Sequence, residues 1–153
     1  MTRAEEVLAV HETRHFHSSS FVQLADGRVL HSAYGGFAIS EDGGLTWSEP
    51  FERHDADGNR VGAGSTSLVR LEGDGIGLAA SRRADAELSP MDRTHAAHLV
   101  FWRSEDGGAT WSPPVRVSPP GLGTYAYQDV LLRLASGRLV MPVYIALGQK
   151  SGP

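Results

Sequence analysis

Residues 81–95 carry the side chains best suited to chemistry in this sequence. Arg82 and Arg83 supply guanidinium groups, whose forked N–H donors bind carboxylates and other anions in pairs. Asp85 and Asp92 follow in the same segment and are the candidate general acids, because a protonated carboxyl group can donate its proton to a leaving group. A long solvated loop without a chemical role is the alternative for this segment.

Two other segments contain candidate binding residues. His15 and His17 are two residues apart, so their side chains would share one face of a strand. Without a carboxylate partner they make a weak metal site, and we expect a substrate contact or a polar rim instead. Tyr125, Tyr127 and Asp129 form the other group, in which the tyrosines either stack on a ring of the ligand or pack against the protein.

No metal or cofactor is predicted. The segment 54–59, His-Asp-Ala-Asp-Gly-Asn, resembles a calcium loop, but its glycine falls too early and no glutamate closes it. We therefore expect a polar turn between two larger units. The chain has no cysteine, which excludes disulfides and thiolate metal ligands.

An internal repeat organises the elements that must position these residues. Residues 40–47 read Ser-Glu-Asp-Gly-Gly-Leu-Thr-Trp, and residues 104–111 repeat this octapeptide with one change, 64 residues later. In each octapeptide, Asp-Gly-Gly favours a tight reversal and the following threonine begins a new strand. Repeats of this spacing are typical of propellers, solenoids and other arrays.

Short strand-like runs surround the two octapeptides in the same order. The predicted strands are 20–24, 28–34, 37–40, 46–51, 67–71, 76–80, 95–103, 110–117, 130–134 and 138–145. They form three units, at about 18–52, 64–118 and 128–147, of which the third contains only its first hairpin. In such antiparallel meanders the octapeptides lie at one end of the sheets, so the candidate binding segments gather at the other end.

Composition agrees with a modest all-β domain. The 153 residues are 41% hydrophobic and include 18 glycines and 8 prolines, which suits many short strands and tight turns. A formal charge of -4 without a basic cluster argues against a nucleic-acid partner. No run is long enough to cross a membrane, and the first residues lack a signal-peptide core, so a cytoplasmic location is the default while export stays open.

The octapeptides match the pattern Ser-x-Asp-x-Gly-x-Thr-Trp, the Asp-box or BNR repeat of sialidases (neuraminidases) and related β-propellers. The matching residues are Ser40, Asp42, Gly44, Thr46, Trp47, Ser104, Asp106, Gly108, Thr110 and Trp111. The chain resembles this family over nearly its whole length. The resemblance implies six four-stranded blades, of which about two and a half are present. The chain is thus expected to be the N-terminal part of a longer protein, or to complete the fold by self-association.

The resemblance also implies a function. Sialidase-type enzymes remove a terminal acidic sugar from glycoconjugates, and Arg14 stands where they place an arginine that binds the substrate carboxylate. The Asp-boxes themselves are expected to be structural. We therefore expect an exo-glycosidase in the full-length protein, with an acidic sugar as ligand and with this chain alone inactive. The alternative is a non-catalytic Asp-box propeller that binds carbohydrate or protein.

Overall fold

A computed structural model of the chain describes residues 20–33, 36–62, 65–82, 97–119, 123–125 and 131–146. Within these ranges every regular element is a β-strand, no helix occurs, and all paired strands are antiparallel. The all-β class predicted from the sequence is confirmed. The same residues include no helix of the length and hydropathy needed to span a bilayer.

The strands form three successive units along the chain. The first sheet contains β1 (Ser20–Gln23), β2 (Val29–Ala33) and β3 (Gly36–Ser40). The second sheet contains β4 (Thr66–Arg70), β5 (Ile76–Arg82), β6 (His98–Ser104) and β7 (Val115–Arg116), paired in that order. The third unit contains β8 (Gly123–Tyr125), β9 (Leu132–Arg133), β10 (Leu139–Val140) and β11 (Tyr144–Ala146), paired as β9–β10 and β8–β11.

The chain after each octapeptide is less regular than the sequence predicts. Residues 46–51 form an isolated bridge rather than a strand, and 110–117 pair with the second sheet only through β7. Prolines explain the difference, because Pro50, Pro113 and Pro114 have no N–H group to donate to a ladder.

A serine hydroxyl joins the chain after each octapeptide to the preceding strand. The Ile39 N–H donates to Ser48 Oγ at 3.1 Å, and the Ser48 N–H donates back to the Ile39 carbonyl at 2.9 Å. Arg103 and Ser112 make the same pair of bonds at 3.0 and 2.8 Å. The repeat seen in the sequence therefore extends beyond the octapeptides into their surroundings.

The first hairpin of each unit closes with the same turn. A leucine N–H donates to the carbonyl four residues later at 2.8–2.9 Å, and the three pairs are Leu24–Arg28, Leu71–Gly75 and Leu134–Arg138. This turn fixes the alignment of the three units. Phe21, Leu68 and Leu131 each lie three residues before the leucine of the turn, so they are equivalent positions.

Equivalent hydrogen bonds also join the first strands of successive units. The Leu68 N–H donates to Ser20 Oγ at 2.7 Å, which links β4 to β1. The Leu131 N–H donates to Ser67 Oγ at 2.9 Å, which links the segment before β9 to β4. Ser20 and Ser67 are equivalent under the alignment of the turns, so each unit meets the next through the same backbone position.

Hydrophobic residues cover both faces of the second sheet. One cluster lies between it and the first sheet: Val22, Leu24, Leu30, Phe37, Val61, Leu68, Ile76, Leu78, Ala80, Val100, Trp102 and Trp111. A smaller cluster lies between the second sheet and the third unit: Val69, Ala79 and Leu131, with Leu71, Phe101, Leu139 and Met141 packed against them. The three units are thus stacked face to face, and burial of these side chains is the main source of their stability.

The segment between the first two sheets contains the predicted polar turn. Asp55 Oδ1 accepts the backbone N–H groups of Asp57 and Asn59 at 3.0 and 2.9 Å, which closes the turn. Its Oδ2 accepts the Trp102 indole N–H at 3.3 Å. The buried Asp55 carboxylate therefore holds this segment against the second sheet, and its oxygens are used by the fold.

Candidate functional site

The two octapeptides lie at one end of the sheets and have the same internal hydrogen bonds. The serine hydroxyl accepts the N–H of the second glycine and donates to the aspartate, which accepts the threonine N–H and hydroxyl, all at 2.6–2.9 Å. In both, the tryptophan indole donates to the carbonyl of the second glycine at 3.1 Å. The serine, aspartate, threonine and tryptophan side chains of each octapeptide thus hold its own turn.

These hydrogen bonds keep the octapeptide aspartates ionised. The Thr46 hydroxyl and N–H and the Ser40 hydroxyl hold the pKa of Asp42 far below its ordinary value. Burial raises the pKa of Asp106, but the hydrogen bonds from Thr110 and Ser104 outweigh it, and the net shift is downward. Neither carboxylate is suited to donate a proton near neutral pH.

Arginine side chains at the described positions mostly serve the fold. Arg28, Arg60, Arg103 and Arg133 pair with carboxylates. Arg53, Arg70 and Arg116 donate to backbone carbonyls. Arg82 and Arg138 are the exceptions, since neither makes an ion pair or side-chain hydrogen bond within the described ranges. Arg138 is exposed in the third unit, whereas Arg82 is half-buried.

Arg82 lies at the end of the second sheet opposite the octapeptides. It is the last residue of β5 and is paired in register with His98, the first residue of β6, while Ile76 at the other end of β5 is opposite Ser104. Alternation along β5 places Arg82 on the same face as Leu78 and Ala80, which are fully buried. The guanidinium thus stands at the rim of an apolar wall, where water competes less for an anionic partner.

The third unit adjoins this end of the second sheet. The Thr124 N–H in β8 donates to the carbonyl of Ala97, the residue before His98, at 2.9 Å, and Thr124 is buried. Tyr125 follows Thr124 and is opposite Tyr144 of β11 in register. The backbone of Tyr125 is thereby fixed near the strand end that carries His98 and Arg82. We call this group of strand ends, with Arg82, His98, Thr124 and Tyr125, the Arg82 end.

Most of the residues proposed from the sequence lie outside the described ranges: Arg14, His17, Arg83, Asp85, Asp92, Tyr127 and Asp129. Their roles stay predictions. Of the proposed binding residues, Arg82 and Tyr125 are described, and both belong to the Arg82 end. Within the described ranges, no group of three or more His, Asp or Glu side chains is placed to hold a metal ion.

His98 and Thr124 are members of the Arg82 end that the sequence did not single out. His98 could have been found from the connectivity, because the two strands flanking the segment 83–97 are paired and must bring their ends together. Thr124 had no comparable signal, since its hydrogen bond to Ala97 joins two different units.

Comparison with known proteins gives a likeness of fold. No protein-family model and no curated protein matches the chain. It is similar to the crystal structure of a protein of unknown function from Dyadobacter fermentans DSM 18053, with 15% sequence identity and a TM-score of 0.58. The likeness concerns the fold alone.

That comparison also bears on length. The match covers 88% of this chain but 46% of the other, so the chain spans about half the length of the structure it resembles.

Proposed function

We propose that the stacked sheets are blades of a sialidase-type Asp-box β-propeller and that the Arg82 end binds an acidic sugar. The propeller is supported by the identical hydrogen bonding of the two octapeptides and by the equivalent bonds from Leu68 to Ser20 and from Leu131 to Ser67. These bonds join first strand to first strand, which is the relation expected when blades are arranged around a common axis.

We infer the end of the sheets at which a ligand binds from the charged side chains that are not already bound to other described residues. The octapeptide aspartates already accept hydrogen bonds within their own turns, and most described arginines bind a carboxylate or a backbone carbonyl. Arg82 is half-buried, has no carboxylate partner among the described residues, and follows the buried Leu78 and Ala80 on one face of β5. A planar guanidinium in this position suits a bidentate bond to a sugar carboxylate.

Hydrolysis is the proposed activity of the full-length protein. In that reaction a general acid protonates the glycosidic oxygen as an oxocarbenium-like transition state forms. Asp85 and Asp92 are the candidate acids, since they follow Arg82 closely in the sequence. The described carboxylates with a shifted pKa are unsuited to this role, because the pKa of Asp26, Asp42, Asp55 and Asp106 is in each case lowered.

A binding propeller without catalysis is the second candidate. It is favoured by the fact that those shifted carboxylates all serve turns or the Trp102 contact rather than an open site. Release of a fluorogenic aglycone from an acidic sugar separates the two functions. Hydrolysis is supported if the full-length protein releases the aglycone and Asp85→Asn or Asp92→Asn abolishes this release. The second candidate is supported if the full-length protein binds the sugar but releases no aglycone.

The observation that carries the proposal is the half-buried Arg82, which has no ion-pair partner within the described ranges, and its replacement provides the test. We expect Arg82→Ala to weaken binding of an oligosaccharide with a terminal acidic sugar at least about tenfold, because a hydrogen bond to a charged group contributes roughly 1.5–3 kcal/mol. Binding is measured by titration calorimetry against the same oligosaccharide with its terminal carboxylate reduced to an alcohol.

Arg138→Ala is the matched control, since Arg138 is also without a partner in the described residues but belongs to the third hairpin. It should bind the acidic oligosaccharide as the wild type does. Equal affinity for the acidic and reduced oligosaccharides, or equal losses in the two arginine variants, would contradict a carboxylate site at Arg82.

A further inference from the structure

Arg82 and His98 form a cross-strand pair at the Arg82 end. The two residues are directly opposite each other in the register of β5 and β6, so their side chains lie on the same face of the sheet, with Cβ atoms about 5 Å apart. Both residues are half-buried. A guanidinium and an imidazole placed side by side in this way can both donate hydrogen bonds to one anion.

The face that carries this pair is otherwise apolar in its central strands. Ala80 and Val100 are the next opposite pair on this face, and Leu78 and Trp102 follow them. All four residues are buried and belong to the cluster between the first and second sheets. The row therefore ends in two groups that can carry positive charge. Charges at the edge of such an apolar row interact more strongly than charges in open water.

The charge of the pair depends on pH through His98. An arginine side chain is always protonated in proteins, whereas histidine changes its charge between about pH 5 and pH 8. When both side chains are charged they repel each other, because like charges directly opposite in a sheet are destabilising. A carboxylate bound between them would remove this repulsion, since it attracts both groups.

The other strands packed around the pair do not supply that carboxylate. None of the strands β1 to β8 contains an aspartate or a glutamate. β7 contains Arg116, whose guanidinium donates to two backbone carbonyls. β8 contains Tyr125, and a phenol is neutral in this pH range. His31 lies on the other face of the first sheet, against the rings of Phe21 and Trp47.

We propose that His98 is the second cation of the acidic-sugar site and that it takes up a proton when the sugar carboxylate binds. This role rests on the function proposed above. The carboxylate accepts hydrogen bonds from Arg82 and from the protonated imidazole, and such bonds are stronger than those between neutral groups. Protonation and binding favour each other by the same factor, so the affinity increases as the pH falls through the range in which histidine titrates.

Titration calorimetry with an oligosaccharide that ends in an acidic sugar tests this coupling. Its carboxylate stays ionised at about pH 5.5, because such groups ionise near pH 3.5. We expect the wild type to bind at least about fivefold more tightly at pH 5.5 than at pH 8. His98→Gln should bind with equal affinity at both pH values. His98→Arg, which is charged at both, should bind tightly and equally at both.

Proton uptake gives a second readout that a purely structural role of His98 would not change. Binding enthalpies measured near pH 7 in buffers of different ionisation enthalpy should show that the wild type takes up part of a proton and that His98→Gln takes up none. His54→Gln is the matched control, because the His54 side chain is 53% exposed and lies beside Glu52 in the segment between the first two sheets. It should keep the pH dependence of the wild type.

Two kinds of result would overturn the proposal, and they are distinguishable. Binding that requires the carboxylate but is equally strong at both pH values, or a pH dependence that persists in His98→Gln, would remove the role of His98 and leave the site at Arg82 standing. Absence of carboxylate-dependent binding at either pH would overturn the site at Arg82 and the role of His98 with it.

Discussion

Asp42, Asp55 and Asp106 show how polar residues of similar type are used in this chain. Each lies in a turn, and the hydrogen bonds it accepts lower its pKa: those from the Thr46 hydroxyl and N–H for Asp42, and for Asp55 and Asp106 those from backbone and side-chain donors, which outweigh the effect of burial. Their chemistry is structural. Arg82 differs from them in having no partner in the described ranges, and this contrast supports its assignment to ligand binding.

His31 should make stability depend on pH. Its equivalents are Leu78 and Met141, and burial lowers the pKa of His31 from 6.5 to about 4. Between these values the unfolded chain binds a proton that the folded chain does not, so stability falls as the pH decreases from 6.5 toward 4. Urea unfolding at several pH values should show this loss in the wild type.

His31→Leu is the control for this effect, because it keeps the position apolar, as Leu78 does, and removes the titrating group. The carboxylates are the same in both proteins, so their common contribution cancels. We expect the variant to lose distinctly less stability than the wild type between pH 7 and pH 4.5. Parallel losses in the two proteins would show that His31 is not the group responsible.

The octapeptides are the elements for which sequence and structure agree most closely. Their turns follow from local chemistry, in which glycines adopt positive φ and the aspartate and serine accept nearby N–H groups. The strands predicted after them were wrong in length because the prolines Pro50, Pro113 and Pro114 weaken pairing. The pattern of alternating polar and apolar residues still predicts a strand here, because the residues beside the prolines have side chains typical of strands.

The contacts between units could not be predicted from the sequence. The Trp102–Asp55 and Leu131–Ser67 bonds join residues 47 and 64 positions apart. No local pattern specifies which serine or aspartate will face a neighbouring sheet, because that depends on how the sheets stack. Arg82 and Tyr125 were proposed from the sequence, and their binding role stays a prediction, whereas His98 and Thr124 were found only from the strand register and the contact between units.

Gly44 and Gly108 allow the docking of an octapeptide to be measured. Both have positive φ, 99° and 87°, but a methyl group on Gly108 would also approach Leu30 Cδ2 at 2.9 Å. Alanine at either position introduces backbone strain of about 1–2 kcal/mol. Gly108→Ala should therefore lower the free energy of unfolding more than Gly44→Ala does, as measured by urea titration.

Equal losses in the two glycine variants would contradict the close packing of the second octapeptide on the first sheet. A variant with the Leu30 side chain shortened, Leu30→Ala, separates the two contributions. In that background the extra loss caused by Gly108→Ala should shrink, because the contacting Cδ2 atom is gone.

At the scale of the whole molecule, the chain is a stack of units that repeat one interface. The second sheet is covered on both faces, while the third unit exposes Leu132, Leu134 and Val140. The similar crystal structure is about twice as long as this chain.

The most direct test of the central claim is a two-dimensional amide NMR titration of the chain with an oligosaccharide that ends in an acidic sugar. The account predicts that the amide signals that shift are those of the Arg82 end, above all Arg82, His98 and Thr124, while Gly44 and Gly108 at the opposite end stay in place. Shifts centred on the octapeptides, or the same shifts with the carboxylate reduced to an alcohol, would contradict the assignment of this end as an acidic-sugar site.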